Sequence, residues 1–542
     1  MEEQKNSSYQ ISLPLILCIG LAAGVLIGAS ITDKSGGPEI NQDVQKFREV
    51  LGLVKNEYVD DAETSGLVEE AIGHMLGKLD PHSSYLSAED QIAANEDLQG
   101  NFEGIGIEFN IFHDTLVVVA ALSGGPSESV GLQAGDKIVK VNDINIASIG
   151  LSYPDVQKYL KGPKGTEVKI EVIRRNKPTP ITFTIVRDKI PQFSVDAAYM
   201  IDPEIGYIKV NRFSQTTYQE VKDAMSKLKR EGMLKLILDL QGNPGGYMDQ
   251  AVDIADEFLV KDKKIVFTKS HDNKYDEEHF ATERGDFEQG DLIVLVNESS
   301  ASASEIVAGA LQDNDRALIV GRRSYGKGLV QRPFRLNDGA EVRLTISRYY
   351  TPSGRSIQKP YSNLEEYDQD ITERYKKGEF FSADSIHFND SLKFETENGR
   401  SVYGGGGVMP DYFVPLDTTL GGSRYFNELF AANILREYAF NYAKENKDRL
   451  SAKGYPDYLQ NFEVSDVMLS HVVVMGVKNK IEARPKDLEK NKRYFQVFLK
   501  AEIARNVWDN QSFYPIINET NEVLQQAIKL FDRIPELNRS KM

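Results

Sequence analysis

One cysteine in 542 residues, Cys18, excludes an intrachain disulfide framework and a thiolate zinc site at once. Histidine is nearly as scarce: seven are scattered along the chain, and none falls in a His-Glu-x-x-His helix that could seat a catalytic zinc. No Gly-x-Ser-x-Gly elbow occurs, so the usual α/β-hydrolase nucleophile is missing too. Positive charge is short: the formal balance is −17, which argues against a nucleic-acid footprint, because phosphate binding needs a concentrated basic surface. There are no internal repeats and no low-complexity tract. With 41% apolar and 27% charged residues the composition is that of a folded protein, and the length calls for several domains.

The first feature present is apolar. No charge interrupts Asn6 to Thr32, and about 20 such residues in a helix rise roughly 30 Å, enough to cross a bilayer. Residues 9–32, after a flank at 1–8, are therefore expected to form a transmembrane anchor. A cleaved signal segment is the rival, since Gly28 and Ser30 could flank a cleavage site. Either way the remaining chain is expected outside the cytoplasm, in the cell envelope, held at the inner membrane with its catalytic part in the periplasm.

Four regions follow. Residues 40–95 read as helical, with an apolar stripe at Phe47, Val50, Leu51 and Val54, broken at Leu79-Asp-Pro-His-Ser83. His82 in that loop reads as structural. Residues 100–188 switch to short alternating strands around one helix, Tyr153 to Lys161. Residues 190–415 alternate strand and helix, which predicts an α/β core with mostly parallel strands; Lys269–Gly290 and Tyr361–Arg400 read as surface insertions. Residues 420–542 are helical again, with apolar faces Phe426/Leu429/Phe430/Ile434/Tyr438/Tyr442 and Phe495/Phe498/Leu499/Ile503 that read as packing. The fold class expected is multidomain α/β.

Three segments of the core carry chemistry. Asn297-Glu-Ser-Ser-Ala-Ser-Ala-Ser-Glu-Ile306 follows a buried strand and opens a helix, whose N-terminal N–H groups favour a developing oxyanion. A serine there is also an ordinary N-cap. In Gly321-Arg-Arg-Ser-Tyr-Gly-Lys-Gly328 the spacing is that of a phosphate loop, but Gly328 replaces the hydroxyl residue that would hold magnesium. A lysine between glycines can instead serve as a general base if burial lowers its pKa, taking the proton of a serine hydroxyl. Asp239-Leu-Gln-Gly-Asn-Pro-Gly-Gly246 ends a strand in two glycines, which let backbone N–H groups approach a ligand closely.

Together these segments resemble the carboxyl-terminal processing peptidases, or tail-specific proteases. The resemblance runs from about Val44 to Val414 and includes Tyr58-Val-Asp60, Leu79-Asp-Pro-His-Ser83, Tyr349-Tyr-Thr-Pro-Ser-Gly-Arg355 and Gly404-Gly-Gly-Gly-Val-Met-Pro-Asp411. It implies a crotonase-like layered core. It implies Ser302 as nucleophile, rather than Ser300 or Ser304, because the lysine of this family follows its serine by about 25 positions, here from 302 to 327. Lys327 is then the general base, Gln331 the residue that positions it, and the N–H groups of Gly246 and Ala303 the oxyanion hole. Gln241 stands where the family commonly has arginine. The resemblance does not reach the chain beyond about residue 420.

Phe102-Glu-Gly-Ile-Gly-Ile107 resembles the carboxylate loop of a PDZ domain, with Gly124-Gly-Pro-Ser-Glu-Ser-Val-Gly-Leu-Gln-Ala-Gly-Asp136 following. It implies that Gly104, Ile105, Gly106 and Ile107 bind a peptide terminus, added as a strand. The partners implied are protein substrates with free C-terminal tails, an adaptor or activator protein, a membrane through the N-terminal segment, and a homo-oligomer; no nucleic acid, metal or other cofactor is called for. Two other readings compete: a catalytically silent PDZ adaptor, and an acyl-CoA enzyme on a crotonase-like core.

Overall fold

The computed structural model describes residues 38–534 apart from 123, 176, 284, 388 and 418–422. The expected flank 1–8 and anchor 9–32 lie outside the described residues; among these, no helix is long and apolar enough to cross a membrane. The chain forms two compact units, divided between Leu76 and Gly77. The first contains the helices Pro38–Glu57 and, to its end, Thr64–Gly77. The second, from Gly77 onward, contains all the sheets among the described residues.

Its centre is a six-stranded sheet in the order Val195–Met200, Ile205–Val210, Lys235–Asp239, Asp291–Val296, Leu318–Gly321, Tyr412–Phe413. The first pair is antiparallel and the rest are parallel. Strand alternation sorts the buried side chains onto two faces. Ile208, Val210, Leu236, Leu238, Leu292, Val294 and Ile319 point to one, under the helices Thr217–Arg230, Met248–Asp256 and Ala303–Asp313. Tyr207, Ile237, Ile293, Leu295, Leu318 and Val320 point to the other, where the helix Glu522–Leu530 covers them with Val523, Leu524 and Ala527. Parallel strands buried on both faces need such a second cover.

This last helix revises the view of residues 420–542 as one helical body. Its earlier helices do pack among themselves: Phe426 lies 5.2 Å from the Phe495 ring and 5.3 Å from Phe498. The segment from Tyr514 to Leu530 instead packs on the central sheet, with Tyr514 donating to Asp196 at 2.6 Å and Asn518 to the Tyr199 hydroxyl at 2.9 Å.

A second, wholly antiparallel sheet stands beside the first. Glu341–Tyr350 is its central strand, pairing with Leu329–Arg335 on one side and with Ser84–Leu86 and Lys264–Ser270 on the other. The stretch read as an insertion at 269–290 contributes Glu278–Phe280 to it. The other, 361–400, carries the helix Leu364–Lys376, whose Arg374 is buried against Glu379 at 2.8 Å.

Residues 107–186 form a separate five-strand path around the helix Tyr153–Leu160, with Leu116, Val118, Ile138, Val168, Ile170 and Val172 at its core. The chain enters and leaves this domain through two paired strands, Asn101–Gly104 and Asp188–Pro191. Its far end rests on the helix Ile434–Lys453, where Phe112 and Phe440 lie 6.0 Å apart and His113 meets Glu437 at 3.1 Å.

Leu524→Ala opens a cavity beneath the second face and is expected to cost about 2–5 kcal/mol. Hydrogen exchange provides the check: protection should fall in Lys235–Asp239 and Asp291–Val296 and persist in Ile434–Lys453.

Candidate active site

The strand Asp291–Val296 ends in the serine cluster, and the three serines part company there. Ser300 is fully buried and donates to the Leu240 carbonyl at 2.8 Å; Ser304 is fully buried and donates to the Asn243 carbonyl at 2.9 Å. Both hydroxyls thus hold the loop together. Of Ser300, Ser302 and Ser304, only Ser302 is not fully buried, while Ser299 before them is exposed. Ser302 sits at the mouth of the helix Ala303–Asp313 with φ of 55°, a left-handed conformation that a serine adopts only when its surroundings impose it.

The glycine loop lies directly against it. A Cβ placed on Gly245 (φ 100°) would come within 2.8 Å of Ser302 Cβ and 2.9 Å of the Ala303 nitrogen, so only glycine fits. Asn243, fully buried, fastens the two loops: its carbonyl accepts from Ala301 N–H at 3.0 Å and its Oδ1 from Gly245 N–H at 2.9 Å. That second bond engages Gly245. The N–H groups of Gly246 and Ala303 have no acceptor among the described residues, and both belong to the loops that meet at Ser302. Gln241 sits at the strand end, its side chain and backbone N–H both donating to Asp239, which Tyr207 and Lys209 also engage.

Lys327 reaches the same place through a residue that sequence reasoning passed over. Glu305 is completely buried, and its carboxyl accepts from Ser302 N–H at 2.9 Å, Lys327 N–H at 2.9 Å, Gly326 N–H at 2.7 Å and the Ser324 hydroxyl. One side chain therefore binds the backbones of the serine and the lysine. Burial pushes Glu305 up to about 7 against the pull of those four donors. Tyr349 adds a second clasp, its hydroxyl lying 3.1 Å from the Ser302 carbonyl and 2.7 Å from that of Lys327. The signal for Glu305 was present, since Ser-x-x-Glu before an apolar helix is a capping box.

Burial pushes the Lys327 pKa below the ordinary lysine value; the carboxylates of Glu305 and Asp80 oppose this, and Arg343 reinforces it. The side chains of Ser302 and Lys327 are not hydrogen-bonded to each other; what they share is Glu305, through their backbone N–H groups. Nor does Gln331 bond to Lys327. Its Nε2 donates instead to Thr345 Oγ1 at 3.1 Å, and Thr345 Oγ1 lies 3.0 Å from Asp80 Oδ1. Asp80 belongs to the Leu79–Ser83 loop, in which His82 had drawn the attention. His82 has a structural bond, 2.8 Å from the Tyr367 hydroxyl, and burial followed by the Lys327 charge lowers its pKa to about 4.

In the strand-rich domain, Gly104 ends one strand, Ile107 begins the next, and Ile105 and Gly106 form the bend between them. Ile105 is buried, with its carbonyl fixed by the Ser127 hydroxyl at 2.6 Å. The N–H groups of Ile105 and Gly106 have no acceptor among the described residues. The neighbouring strand Ile107–Phe112 is an edge of its sheet. A cleft of about 1450 Å³ between this domain and the core contains neither Ser302 nor Lys327 in its lining.

Glu305→Gln turns an NH₂ group toward two donors, and each donor left unpaired should cost about 1–3 kcal/mol. The expected outcome is a less stable and less active chain, read by unfolding and by turnover; unchanged turnover would mean the Glu305 bonds do not matter to the site.

Profiles of known families match in succession: the activating protease CtpB N-terminal domain at residues 28–90, a PDZ domain at 117–174, peptidase family S41 at 204–367, and a family of unknown function at 425–509. The carboxy-terminal-processing protease of Bartonella bacilliformis is 36% identical over 351 residues, covering 63% of this chain and 80% of that one. The carboxy-terminal processing protease CtpA of Bacillus subtilis is 30% identical over 394 residues, covering 70% and 82%. Among solved structures, a photosystem II D1 C-terminal processing protease is similar at 29% identity and a TM-score of 0.32, covering 57% of this chain and 88% of that one. On the sequence relationship, the chain belongs to the carboxy-terminal-processing proteases, serine-type peptidases of family S41 that carry a PDZ domain.

Proposed function

We propose that this chain is an envelope endopeptidase that captures free C-terminal tails through its PDZ domain and cuts peptide bonds with a Ser302–Lys327 dyad. The observation that carries the reading is the shared carboxylate of Glu305, which binds Ser302 N–H and Lys327 N–H at 2.9 Å each, beside the unengaged N–H groups of Gly246 and Ala303.

The chemistry follows from the groups. Neutral Lys327 takes the Ser302 hydroxyl proton as Oγ attacks the peptide carbonyl. The oxyanion accepts from Gly246 and Ala303 N–H, donors already oriented and aided by the helix N-terminus. The Lys327 ammonium then gives its proton to the departing amine, leaving an ester on Ser302. Water attacks that ester with Lys327 again removing the proton, and the acid leaves as the serine is restored.

The PDZ domain supplies substrate. A tail adding to the free edge of Ile107–Phe112 would run its terminal carboxylate into the bend Gly104–Ile107, where the N–H groups of Ile105 and Gly106 await an acceptor. Tethering raises the local concentration of the rest of the substrate. The apolar segment 9–32 would anchor the chain in the membrane, and an adaptor or activator protein and a second copy of the chain would be its further partners.

An unfolded protein with an apolar free C-terminus, incubated with wild type, Ser302→Ala and Lys327→Ala, tests the dyad by mass spectrometry of the fragments. Each variant should lose about 10³-fold or more in kcat; equal cutting by all three would overturn the assignment. Amidating the substrate C-terminus should raise KM, whereas an unchanged KM would remove the tail from the account. Activity should rise with pH through the lowered Lys327 pKa, as the lysine becomes neutral, and His82→Gln should keep that rise.

A further inference from the structure

Asp80 makes no hydrogen bond to Ser302 or Lys327, yet its partners determine how Gln331 is turned. Burial pushes its pKa up, but the Ser83 hydroxyl at 2.6 Å, the His82 and Ser83 N–H groups at 2.8 and 2.9 Å, and Thr345 together hold it below the ordinary carboxylate value. Asp80 is thus ionised and has no proton to give. The Thr345 hydroxyl has a single proton, and facing a carboxylate at 3.0 Å it must donate there. Its lone pairs then accept from Gln331 Nε2 at 3.1 Å. The amide is fixed by this chain of bonds: its NH₂ faces Thr345, and its carbonyl oxygen has no donor among the described residues.

We propose that Asp80 is a positioning residue of the peptidase, holding Gln331 through the one proton of Thr345 so that the amide oxygen stays available to accept from Lys327. The inference rests on the assignment of Lys327 as base. A glutamine turned the other way would offer an N–H to an amine that must take up a proton, and would oppose the step. The relay exists because the loop carrying Asp80 docks on the central strand, with Thr345 N–H donating to Ser83 Oγ at 3.1 Å and Ser84 paired with Arg343. The charged and titratable groups around Lys327 are Glu305 on the nucleophile helix, Asp80 and His82 on the loop, and Arg343 on the strand.

Three substitutions in the full chain separate the relay from a packing role. Thr345→Val keeps the shape and removes the hydroxyl, Thr345→Ser restores it, and Asp80→Ala removes the oxygen that takes the Thr345 proton, leaving the hydroxyl free to donate to Gln331 and the amide free to turn. Thr345→Val and Asp80→Ala should lower kcat roughly 10- to 100-fold with KM nearly unchanged, while Thr345→Ser stays close to wild type. Asp80→Ala should also move the acid limb of the kcat profile to lower pH, because a negative charge that stabilised the Lys327 ammonium is gone. In a Gln331→Ala background neither substitution should reduce kcat further. Wild-type kcat in Thr345→Val, or an undiminished loss in the Gln331→Ala background, overturns the relay. If Thr345→Val does not fold, Asp80→Ala in the two backgrounds decides alone. Full activity in Lys327→Ala would defeat the dyad itself; an inactive Lys327→Ala beside an unaffected Thr345→Val defeats only the relay.

Discussion

A buried carboxylate that receives four hydrogen bonds organises this molecule. Glu305 lies on the first turn of a wholly buried helix, and by accepting from Ser302, Ser324, Gly326 and Lys327 it joins two loops that come from different strand ends. Leaving such a group unpaired would be costly, so the loops have little freedom to separate. The left-handed backbone at Ser302, the tight approach of Gly245 and the clasp of Tyr349 lie at this same junction. The site is thus built mainly from backbone positions, and side-chain carboxylates and amides hold them.

Much of the fold could be read in the sequence because its signals were local. The helix expected at Tyr153 to Lys161 runs from Tyr153 to Leu160, and residues 190–415 alternate strand and helix as their pattern implies. What could not be read is tertiary. Nothing local in Glu522–Leu530 says that it covers the back of a sheet built from residues 195–413 rather than joining the helices before it. The antiparallel sheet was hidden because its strands are split among 84–86, 264–280 and 329–350, with polar turns between them.

The site divides the same way. The serine cluster, the Gly-Lys-Gly loop and the twin glycines stood out because their residue types are unusual at strand ends. The choice of Ser302 over Ser300 and Ser304 is a proposal that rests on a family spacing; Ser300 and Ser304 spend their hydroxyls on backbone carbonyls. Asp80 and Thr345 lie 265 positions apart, and no pattern in either segment announces the other. Histidine scarcity points away from a histidine base, and His82 is bound to the Tyr367 hydroxyl at 2.8 Å.

The most direct test of the dyad is a fluorophosphonate probe that acylates activated serines, followed by mass spectrometry of the digested chain. The account predicts a single adduct on the peptide containing Ser302, formed by wild type, lost in Lys327→Ala, and formed faster as pH rises through the lysine pKa. An adduct on another serine, or labelling of Ser302 that ignores the loss of Lys327, would contradict it.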